Sequence, residues 1–196
     1  MKLNQRTSRT GKNEPGLGEV NATKEQYLAF EVSEVELTVP LANVSEVVPY
    51  EGCSPLPSTP DYIRGLLVLR ERMVPVVDLA LRLGRRPAPA GKRTCIMMLD
   101  TTYQTQQFHV GIVVDGIATL LDIGQDELRP VPPLGNSIQT KFLKGVVMSG
   151  RGTLPVLDVF RLFNEDEVPQ LAEIASMRPP RETASGAPVM DTAAEL

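Results

Sequence analysis

The chain has 196 residues, of which 42% are hydrophobic and only 5% aromatic, and it contains no tryptophan. This length suits one ordinary domain or two small ones, and the scarcity of aromatic rings argues against a carbohydrate or base-stacking site. The formal net charge of −4 disfavours nucleic acid or an anionic membrane surface as the main partner.

The two ends of the chain differ in composition from its middle. Residues 1–24 are polar and lack periodicity, so we predict a disordered N-terminal arm there. Residues 165–196 carry a net charge of −5 and are rich in Pro and Ala, so we predict a flexible acidic tail, in which the sequence PQLAEIA could form a short helix. The folded domain is then expected over residues 25–164. No signal peptide or membrane-spanning stretch is expected, and the cytoplasm is the predicted compartment.

Short β-prone runs separated by turn residues dominate the folded part. The first two runs are joined by a tight Ser-Glu connection, which indicates a hairpin. In chain order, the predicted strands are 26–32, 36–41, 43–50, 65–70, 73–78, 93–100, 107–116, 117–123, 144–150 and 153–158. This pattern is typical of an all-β sandwich or barrel with only brief helices.

The most informative feature of the sequence is an internal repeat. Residues 62–84 align with residues 142–164 without a gap. The identical positions are Gly65 with Gly145, Pro75 with Pro155, Val76 with Val156 and Asp78 with Asp158. A second, weaker match places 43–48 over 116–121. Duplication of one unit predicts two pseudo-symmetric subdomains, each too small to form a large core alone.

Two repeated aspartates invite a catalytic interpretation. Asp78 and Asp158 each precede a short amphipathic turn, and these turns end in Gly84 and Asn164. An N-cap aspartate before a short helix, with a C′ residue after it, explains both positions and their repetition. We therefore interpret both carboxylates as structural helix caps rather than as an acid/base pair.

The remaining residues with chemical potential do not form a catalytic or metal-binding pattern. His109 is the only histidine, and Cys53 and Cys95 lack the spacing of zinc ligands. We interpret His109 as a surface or strand-packing residue and the cysteines as packing residues. Nucleophile elbows, phosphate-binding loops and dinucleotide fingerprints are not found in the sequence. We expect no enzymatic activity, no cofactor and no metal.

Glu46 and Arg70 each allow two interpretations. Arg70 ends an apolar run and is followed by two more charged residues, and Glu46 interrupts a run of valines. Each could be a solvated residue of a strand or turn, or part of a binding surface, and the two could pair across neighbouring strands. The residues alone leave these alternatives equally weighted.

These residues lie within segments that resemble a known family. The runs VSEVVPY, PLPSTPDYIRGLLVLRERMVPVVDL, GIVVDGI and FLKGVV are similar to the CheW-like domain of bacterial chemosensory systems. The resemblance covers about residues 26–164, and its most specific part is the R/K-G-x-x-x-L-R segment followed by P-V-V-D-L. It implies an all-β fold of two pseudo-symmetric five-stranded SH3-like barrels with short helices.

The resemblance also implies a function. Proteins of this type are non-catalytic adaptors that join the cytoplasmic tips of chemoreceptors to the regulatory domain of a histidine autokinase, at membrane-associated receptor arrays. Glu46 and Arg70 match functionally important positions, and Val44 and Gly65 match positions that border the receptor-binding groove. The full set expected to contact receptor or kinase is Val44, Glu46, Arg64, Gly65, Val68, Arg70 and Glu71.

Two departures from the family pattern stand within that set. The family usually has Asn at the position of Val68 and Gly at the position of Glu71, so a differently shaped turn and a different receptor preference are expected. One alternative is an adaptor of a pilus-motility or other non-flagellar pathway. Another is a barrel that binds nucleic acid or a small ligand, which the charge balance and aromatic content disfavour.

Overall fold

The computed structural model describes residues 24–103, 106–131, 139–150 and 152–177. The predicted disordered arm therefore lies outside the described residues, except for Lys24, with which the first strand begins. Most of the predicted C-terminal tail lies outside them as well. None of the described helices is long and apolar enough to cross a membrane.

Ten strands and two α-helices make up the described chain. The strands are β1 (Lys24–Val32), β2 (Val35–Pro40), β3 (Val44–Pro49), β4 (Ile63–Leu69), β5 (Arg72–Asp78), β6 (Cys95–Tyr103), β7 (Gln106–Val114), β8 (Gly116–Gly124), β9 (Leu143–Ser149) and β10 (Gly152–Leu157). The α-helices are α1 (Leu79–Arg82) and α2 (Glu167–Ser176), and 3₁₀ turns occupy Leu41–Asn43, Gln125–Glu127, Thr140–Phe142 and Val159–Arg161. Each predicted strand corresponds to one of these ten.

The strands form two five-stranded sheets of equivalent topology. Sheet I has the order β8-β1-β2-β10-β9, and sheet II has the order β3-β6-β7-β5-β4. Each sheet has one parallel pairing, Val156 with Thr38 in sheet I and Val76 with Gly111 in sheet II, and the two valines are equivalent in the repeat. The predicted pair of small pseudo-symmetric SH3-like barrels is confirmed.

The repeat explains how the chain is shared between the sheets. Strands β3, β4 and β5 of sheet II take the same places as β8, β9 and β10 of sheet I. A hairpin completes each set: β6–β7 in sheet II, and the N-terminal hairpin β1–β2 in sheet I. Sheet II is therefore one contiguous stretch of the sequence, from β3 to β7, whereas sheet I combines strands from both ends of the described chain.

The largest apolar cluster is built from both sheets. Buried side chains such as Phe30 and Leu37 of sheet I and Met97 and Ile112 of sheet II belong to it. Smaller clusters belong to one sheet each, among them the one around Val74, Ile96 and Met98 in sheet II. Most of the buried apolar surface that stabilises the fold is therefore shared between the two barrels.

The two repeated aspartates stand at the starts of short helical turns. Asp78 Oδ1 accepts a hydrogen bond from the Leu81 N–H at 3.0 Å, and Asp158 Oδ1 accepts one from the Phe160 N–H at 3.1 Å. Gly84 follows α1 with a φ of 76°, the left-handed conformation of a C′ residue. The C′ prediction for Asn164 is wrong, because its side chain instead accepts the N–H groups of Asp166 and Glu167 at the start of α2.

The folded body extends beyond residue 164. The predicted flexible tail begins too early, because Glu167–Ser176 form α2, with Leu171 buried in the shared core; this helix includes the short one expected at PQLAEIA. The Arg82 Nη1 donates to Glu167 Oε1 at 2.9 Å, and the Tyr62 hydroxyl also donates to Glu167. An acidic, Ala-containing segment can be mistaken for a tail because its single buried leucine and its ion pair have no local sequence signal.

Candidate functional site

Glu46 and Arg70 form an ion pair in sheet II. The Arg70 Nη2 donates to Glu46 Oε2 at 3.0 Å. Glu46 lies on β3 and Arg70 follows β4, which are the two edge strands of the sheet rather than neighbours within it. The pair therefore joins the two edges where the sheet curls into a barrel. With 79% of the Arg70 side chain exposed, the pair contributes at most about 1 kcal/mol to stability.

The turn that carries Arg70 has an unusual backbone. Arg70 and Glu71 have φ angles of 48° and 64°, and Ser33 and Glu34 in the β1–β2 turn have almost the same values, 48° and 66°. Two consecutive left-handed residues form the two-residue hairpin that matches the twist of antiparallel strands. This geometry makes the connection between β4 and β5 as short as a hairpin allows, and the side chains of Arg70 and Glu71 are exposed there.

A second charged group lies beside this pair. His109 Nδ1 is 2.7 Å from Asp100 Oδ1, and Arg72 Nη1 is 3.2 Å from His109 Nε2. Arginine has only donors, so Nε2 accepts the hydrogen bond from Arg72 and Nδ1–H donates to Asp100. The predicted surface position of His109 agrees with its partial exposure, but the sequence analysis did not predict its hydrogen bonds with Arg72 and Asp100. Its cross-strand pairing with Asp100 depends on the β6–β7 register.

Both charged groups lie at one end of the barrel formed by sheet II. In a strand, every second residue faces the same side, so Arg72 lies on the same face as Val74, and Asp100 on the same face as Met98. Val74 and Met98 belong to the apolar interior of that barrel. We call the set Glu46, Arg70, Arg72, Asp100 and His109 the sheet II mouth.

The sheet II mouth borders a cavity of about 420 Å³. Its apolar lining comes from Leu69, Val74 and Met98, and its polar lining comes from Ser45, Glu46, Arg70, Arg72 and His109. An apolar floor with a few charged groups around it is typical of a protein-recognition or ligand site.

The repeat provides an internal comparison for the sheet II mouth. In the main repeat, Arg70 and Arg72 correspond to Gly150 and Gly152, and in the weaker match Glu46 corresponds to Thr119. Sheet I adopts the same topology with these small, neutral residues. The charges of Glu46, Arg70 and Arg72 are therefore not needed to form a barrel of this kind, which favours a binding role for them over a structural one.

The structure places two of the predicted site residues away from the mouth. Arg64 Nη2 forms an ion pair with Asp78 Oδ2 at 2.8 Å, near the opposite end of β4. Gly65 has a φ of 141°, and a Cβ added there would lie 2.0 Å from the carbonyl oxygen of Ser54. The extended strand separates Arg64 from Arg70 by about 20 Å. Arg64 and Gly65 thus each have a structural contact of their own, apart from the mouth.

The other predicted residues divide between core and surface. Val44 is half-buried and packs against the shared core. Val68 is 52% exposed and lies on β4, beside the turn that carries Arg70 and Glu71. The structure thus brings Val68, Arg70 and Glu71 into one exposed region near Glu46. Exposed apolar side chains also recur at equivalent positions of the repeat, Val68 with Met148 and Val47 with Leu120.

The chemistry of the described residues is that of a binding surface. Within the described ranges, no cluster of three or more His, Cys, Asp or Glu side chains could hold a metal ion. Burial raises the pKa of the thiols of Cys53 and Cys95, which keeps them protonated and weakly nucleophilic. The sheet II mouth combines paired charges with apolar surface, which suits the recognition of another protein.

Comparison with known proteins identifies the family. The model of the CheW-like domain matches residues 26–167. The chain belongs to the CheW-like family. The match ends at the first residue of α2, so it covers both sheets and the sheet II mouth.

Individual relatives agree with this CheW-like assignment. The chemotaxis protein CheW of Klebsiella aerogenes is 26% identical over 151 residues, covering 77% of this chain and 89% of the relative. Protein FrzA of Myxococcus xanthus is 32% identical over 126 residues, covering 64% of this chain and 76% of the relative. The scaffolding protein TtCheW from Thermoanaerobacter tengcongensis superposes with a TM-score of 0.64 at 25% identity, covering 72% of this chain and 93% of that one. The chain is a chemotaxis coupling adaptor.

Proposed function

We propose that this CheW-like chain joins the cytoplasmic tips of chemoreceptors to the regulatory domain of a histidine autokinase and has no catalytic activity of its own. The proposal places it in the cytoplasm, recruited to membrane-associated receptor arrays. The observation that carries it is the sheet II mouth, where Glu46 and Arg70 form an exposed pair at positions that Thr119 and Gly150 occupy in the equivalent barrel. A cofactor and nucleic acid have no part in this role.

The proposed contact at the mouth is with an amphipathic receptor helix. The apolar surface of Leu69, Val74 and Met98 supplies contact area, and the charges around it supply register and orientation. Exposed apolar side chains on the edge strands, such as Val68 and Met148, support further protein contacts, for which the kinase is the proposed partner.

Charge reversal at the paired residues tests the receptor contact. Glu46→Lys and Arg70→Glu are expected to weaken binding to a receptor-tip fragment by about tenfold or more, because each places like charges together in the mouth. Binding is measured by calorimetry, with a pulldown of the kinase regulatory domain in parallel. Arg93→Glu is the matched control, because Arg93 is also an exposed arginine in an ion pair, with Glu31 of sheet I.

A double charge exchange separates the two roles of the pair. If the pair only joins the edges of the barrel, Glu46→Arg combined with Arg70→Glu restores receptor binding. If the residues contact the receptor, the double variant stays impaired while its unfolding curve matches that of the wild type. Failure of the wild-type protein to bind either partner overturns the proposal.

The second candidate is the same adaptor role in a non-flagellar pathway. The similarity to Protein FrzA, 32% identical over 126 residues, is the observation for keeping this candidate, although the match to the Klebsiella chemotaxis protein is longer, at 151 residues. Both candidates use the same fold and the same mouth. Pulldown against receptor fragments of the organism's separate chemosensory systems distinguishes them, because the adaptor should prefer the fragment of its own system.

A further inference from the structure

The proposed receptor contact involves two residues of the sheet II mouth, and a third is available for recognition. We infer that Arg72 binds an acidic side chain of the protein partner, and that His109 and Asp100 position it for that contact. This inference rests on the proposed function and adds a specificity-determining residue to the same site. The sequence resemblance assigns no role to Arg72, His109 or Asp100.

Among the described residues, Arg72 is the cation of the mouth that lacks a carboxylate partner. Arg70 is paired with Glu46, and Asp100 is engaged by His109. Within the described part of the chain, the side chain of Arg72 makes one hydrogen bond, to the ring nitrogen of His109. A guanidinium has five N–H donors in a planar fork that fits a carboxylate, so most of its donors remain available to a partner.

The Asp100–His109 pair fixes how Arg72 is presented. Since the imidazole accepts a hydrogen bond from Arg72 through Nε2, its proton must be on Nδ1. This Nδ1–H donates to Asp100 Oδ1, with 2.7 Å between the nitrogen and the oxygen. The carboxylate thus selects the tautomer that can accept from Arg72. An arginine with restricted rotamers loses less conformational entropy on binding than a free one.

Sheet I argues against a purely structural purpose for Arg72. Its equivalent, Gly152, begins β10, and the strand forms and pairs in the same way without the side chain. Arg72 instead lines the 420 Å³ cavity together with the apolar Val74 and Met98. A fitting partner therefore carries an acidic residue beside apolar ones on a helix. The nearby carboxylates of Glu46 and Asp100 disfavour a doubly charged phosphate.

The test measures receptor-fragment affinity for variants of Arg72. Arg72→Ala is expected to weaken binding about tenfold, as for a lost charge-assisted hydrogen bond, and to make binding less sensitive to salt. Arg72→Lys should recover only part of the loss, because an ammonium cannot bind a carboxylate through two parallel bonds. Arg93→Ala is the control, an exposed arginine in an ion pair with sheet I that should leave affinity unchanged.

Variants of His109 test the positioning role. His109→Ala should weaken binding about fivefold, whereas His109→Gln, whose amide oxygen can replace Nε2 as acceptor, should stay close to the wild type. The single histidine of the chain also gives one set of imidazole nitrogen signals by NMR. The free protein should show the Nδ1–H tautomer, and adding the receptor fragment should shift the Nε2 signal.

Three results with variants or with the free protein overturn the inference while leaving the proposed function intact. The first is that Arg72→Ala binds the receptor fragment as tightly as the wild type, while Arg70→Glu fails to bind it. The second is that His109 of the free protein has its proton on Nε2. The third is that His109→Ala and His109→Gln lose affinity equally. If the wild-type protein binds neither receptor nor kinase, the proposed function itself fails. A partner that binds only when phosphorylated also contradicts the acidic side chain inferred here.

Discussion

Glu71 holds a backbone conformation that favours glycine. Its φ of 64° places it in the left-handed region, where a side chain costs about 1 kcal/mol. Glu71→Gly should therefore raise the free energy of unfolding by about 0.5–1 kcal/mol, measured by urea denaturation. Its affinity for the receptor fragment should also show whether a glycine at this position alters receptor preference.

A matched substitution checks the explanation for Glu71. Glu51 is also exposed, but its φ is not positive, so Glu51→Gly should lower stability slightly through the greater freedom of the unfolded chain. Equal effects of the two substitutions would show that the left-handed conformation of Glu71 carries no measurable strain.

Gly65 is predicted to matter for folding rather than for direct receptor contact. An alanine Cβ would lie 2.0 Å from the Ser54 carbonyl oxygen, in a backbone bridge between Ser54 and Leu66. Gly65→Ala should lower the free energy of unfolding by more than about 2 kcal/mol, measured by thermal or urea denaturation. Gly52→Ala is the control, because Gly52 also has a positive φ but has open space around it.

The Gly65 comparison also separates stability from binding. If Gly65→Ala folds as stably as Gly52→Ala but loses receptor binding, the packing explanation is wrong and Gly65 touches the partner. The equivalent Gly145 has a similar close approach, to the carbonyl oxygen of Arg129. The recurrence of this contact in the barrel without the charged mouth supports a packing origin.

At the scale of elements, α2 is held to the body by a partly buried cluster of Tyr62, Arg82 and Glu167. Arg82 Cζ lies 4.4 Å from the centre of the Tyr62 ring, and the guanidinium donates to Glu167 and to the Leu162 carbonyl oxygen. Leu162 is the equivalent of Arg82 in the repeat. The second repeat therefore has an apolar side chain at the position where the first repeat has the arginine of this polar cluster.

Removing Arg82 should release α2. Arg82→Ala leaves the carboxylate of Glu167 partly buried without its partner, so we expect a loss of about 3 kcal/mol and weaker hydrogen-exchange protection in α2. The double variant Arg82→Met with Glu167→Met should recover much of that loss, because apolar side chains of similar size fill the same space. A double variant no more stable than Arg82→Ala would contradict this account.

The same cluster predicts how stability depends on pH. Burial would raise the pKa of Glu167, but hydrogen bonds from Arg82 and Tyr62 lower it overall, and burial with the Glu167 contact raises the pKa of Tyr62 to about 12. Because folding lowers the pKa of Glu167, this carboxylate stabilises the fold at a pH above its ordinary pKa of 4.5, and the stabilisation is lost as the pH falls below that value. Because folding raises the pKa of Tyr62, this phenol stabilises the fold at a pH below its ordinary pKa of 10.0, and the stabilisation is lost as the pH rises towards 12.

Unfolding measurements across pH check these signs. The difference in unfolding free energy between the wild type and Glu167→Gln should be greatest between about pH 5 and 10 and should shrink on either side. A difference that stays constant from pH 3 to pH 7 would show that the charge of Glu167 does not stabilise α2.

Arg72 and His109 line a cavity beside Ala172 and Ala175 of α2, so docking of α2 also shapes one side of the mouth region.

At the scale of the whole molecule, the two barrels should unfold together. Leu37 of sheet I is fully buried in the cluster shared with sheet II. Leu37→Ala should lower the free energy of unfolding by about 3 kcal/mol and reduce the amide protection of β5 and β7 as much as that of β1. Calorimetry should show one transition, because neither barrel has a sufficient core of its own.

Two separate transitions, with sheet II unaffected, would contradict this coupling. Val147→Ala provides a comparison, since Val147 belongs to the small cluster inside sheet I rather than to the shared one. Its expected cost is smaller because fewer methyl groups are removed.

Much of the fold was predictable because its signals are local or repeated. The strands follow from short β-prone runs, and the duplication of residues 62–84 predicts two equivalent barrels. The start of α2 was missed because Leu171 and Glu167 find their partners in other elements. Asn164 was misassigned because its residue type suits either end of a helix, and only the following segment decides between them.

The candidate site was predicted in part. Glu46 and Arg70 follow from the resemblance, but the residues alone could not decide between solvation and pairing, because their contact crosses from one sheet edge to the other. Arg64 and Gly65 lie in the same sequence motif as Arg70 but near the opposite end of β4, since an extended strand separates residues that are close in sequence.

In the sequence by itself, the β-prone runs and the internal repeat determined the duplicated β-fold, and the resemblance of its motifs to the CheW-like domain implied the family and the adaptor role. Only the tertiary structure decided that the first hairpin completes the second repeat, that the barrels share one core, and that His109 joins Asp100 to Arg72. Strand register and sheet curvature create those contacts. Both are set by how the whole chain buries its apolar surface, so no short segment encodes them.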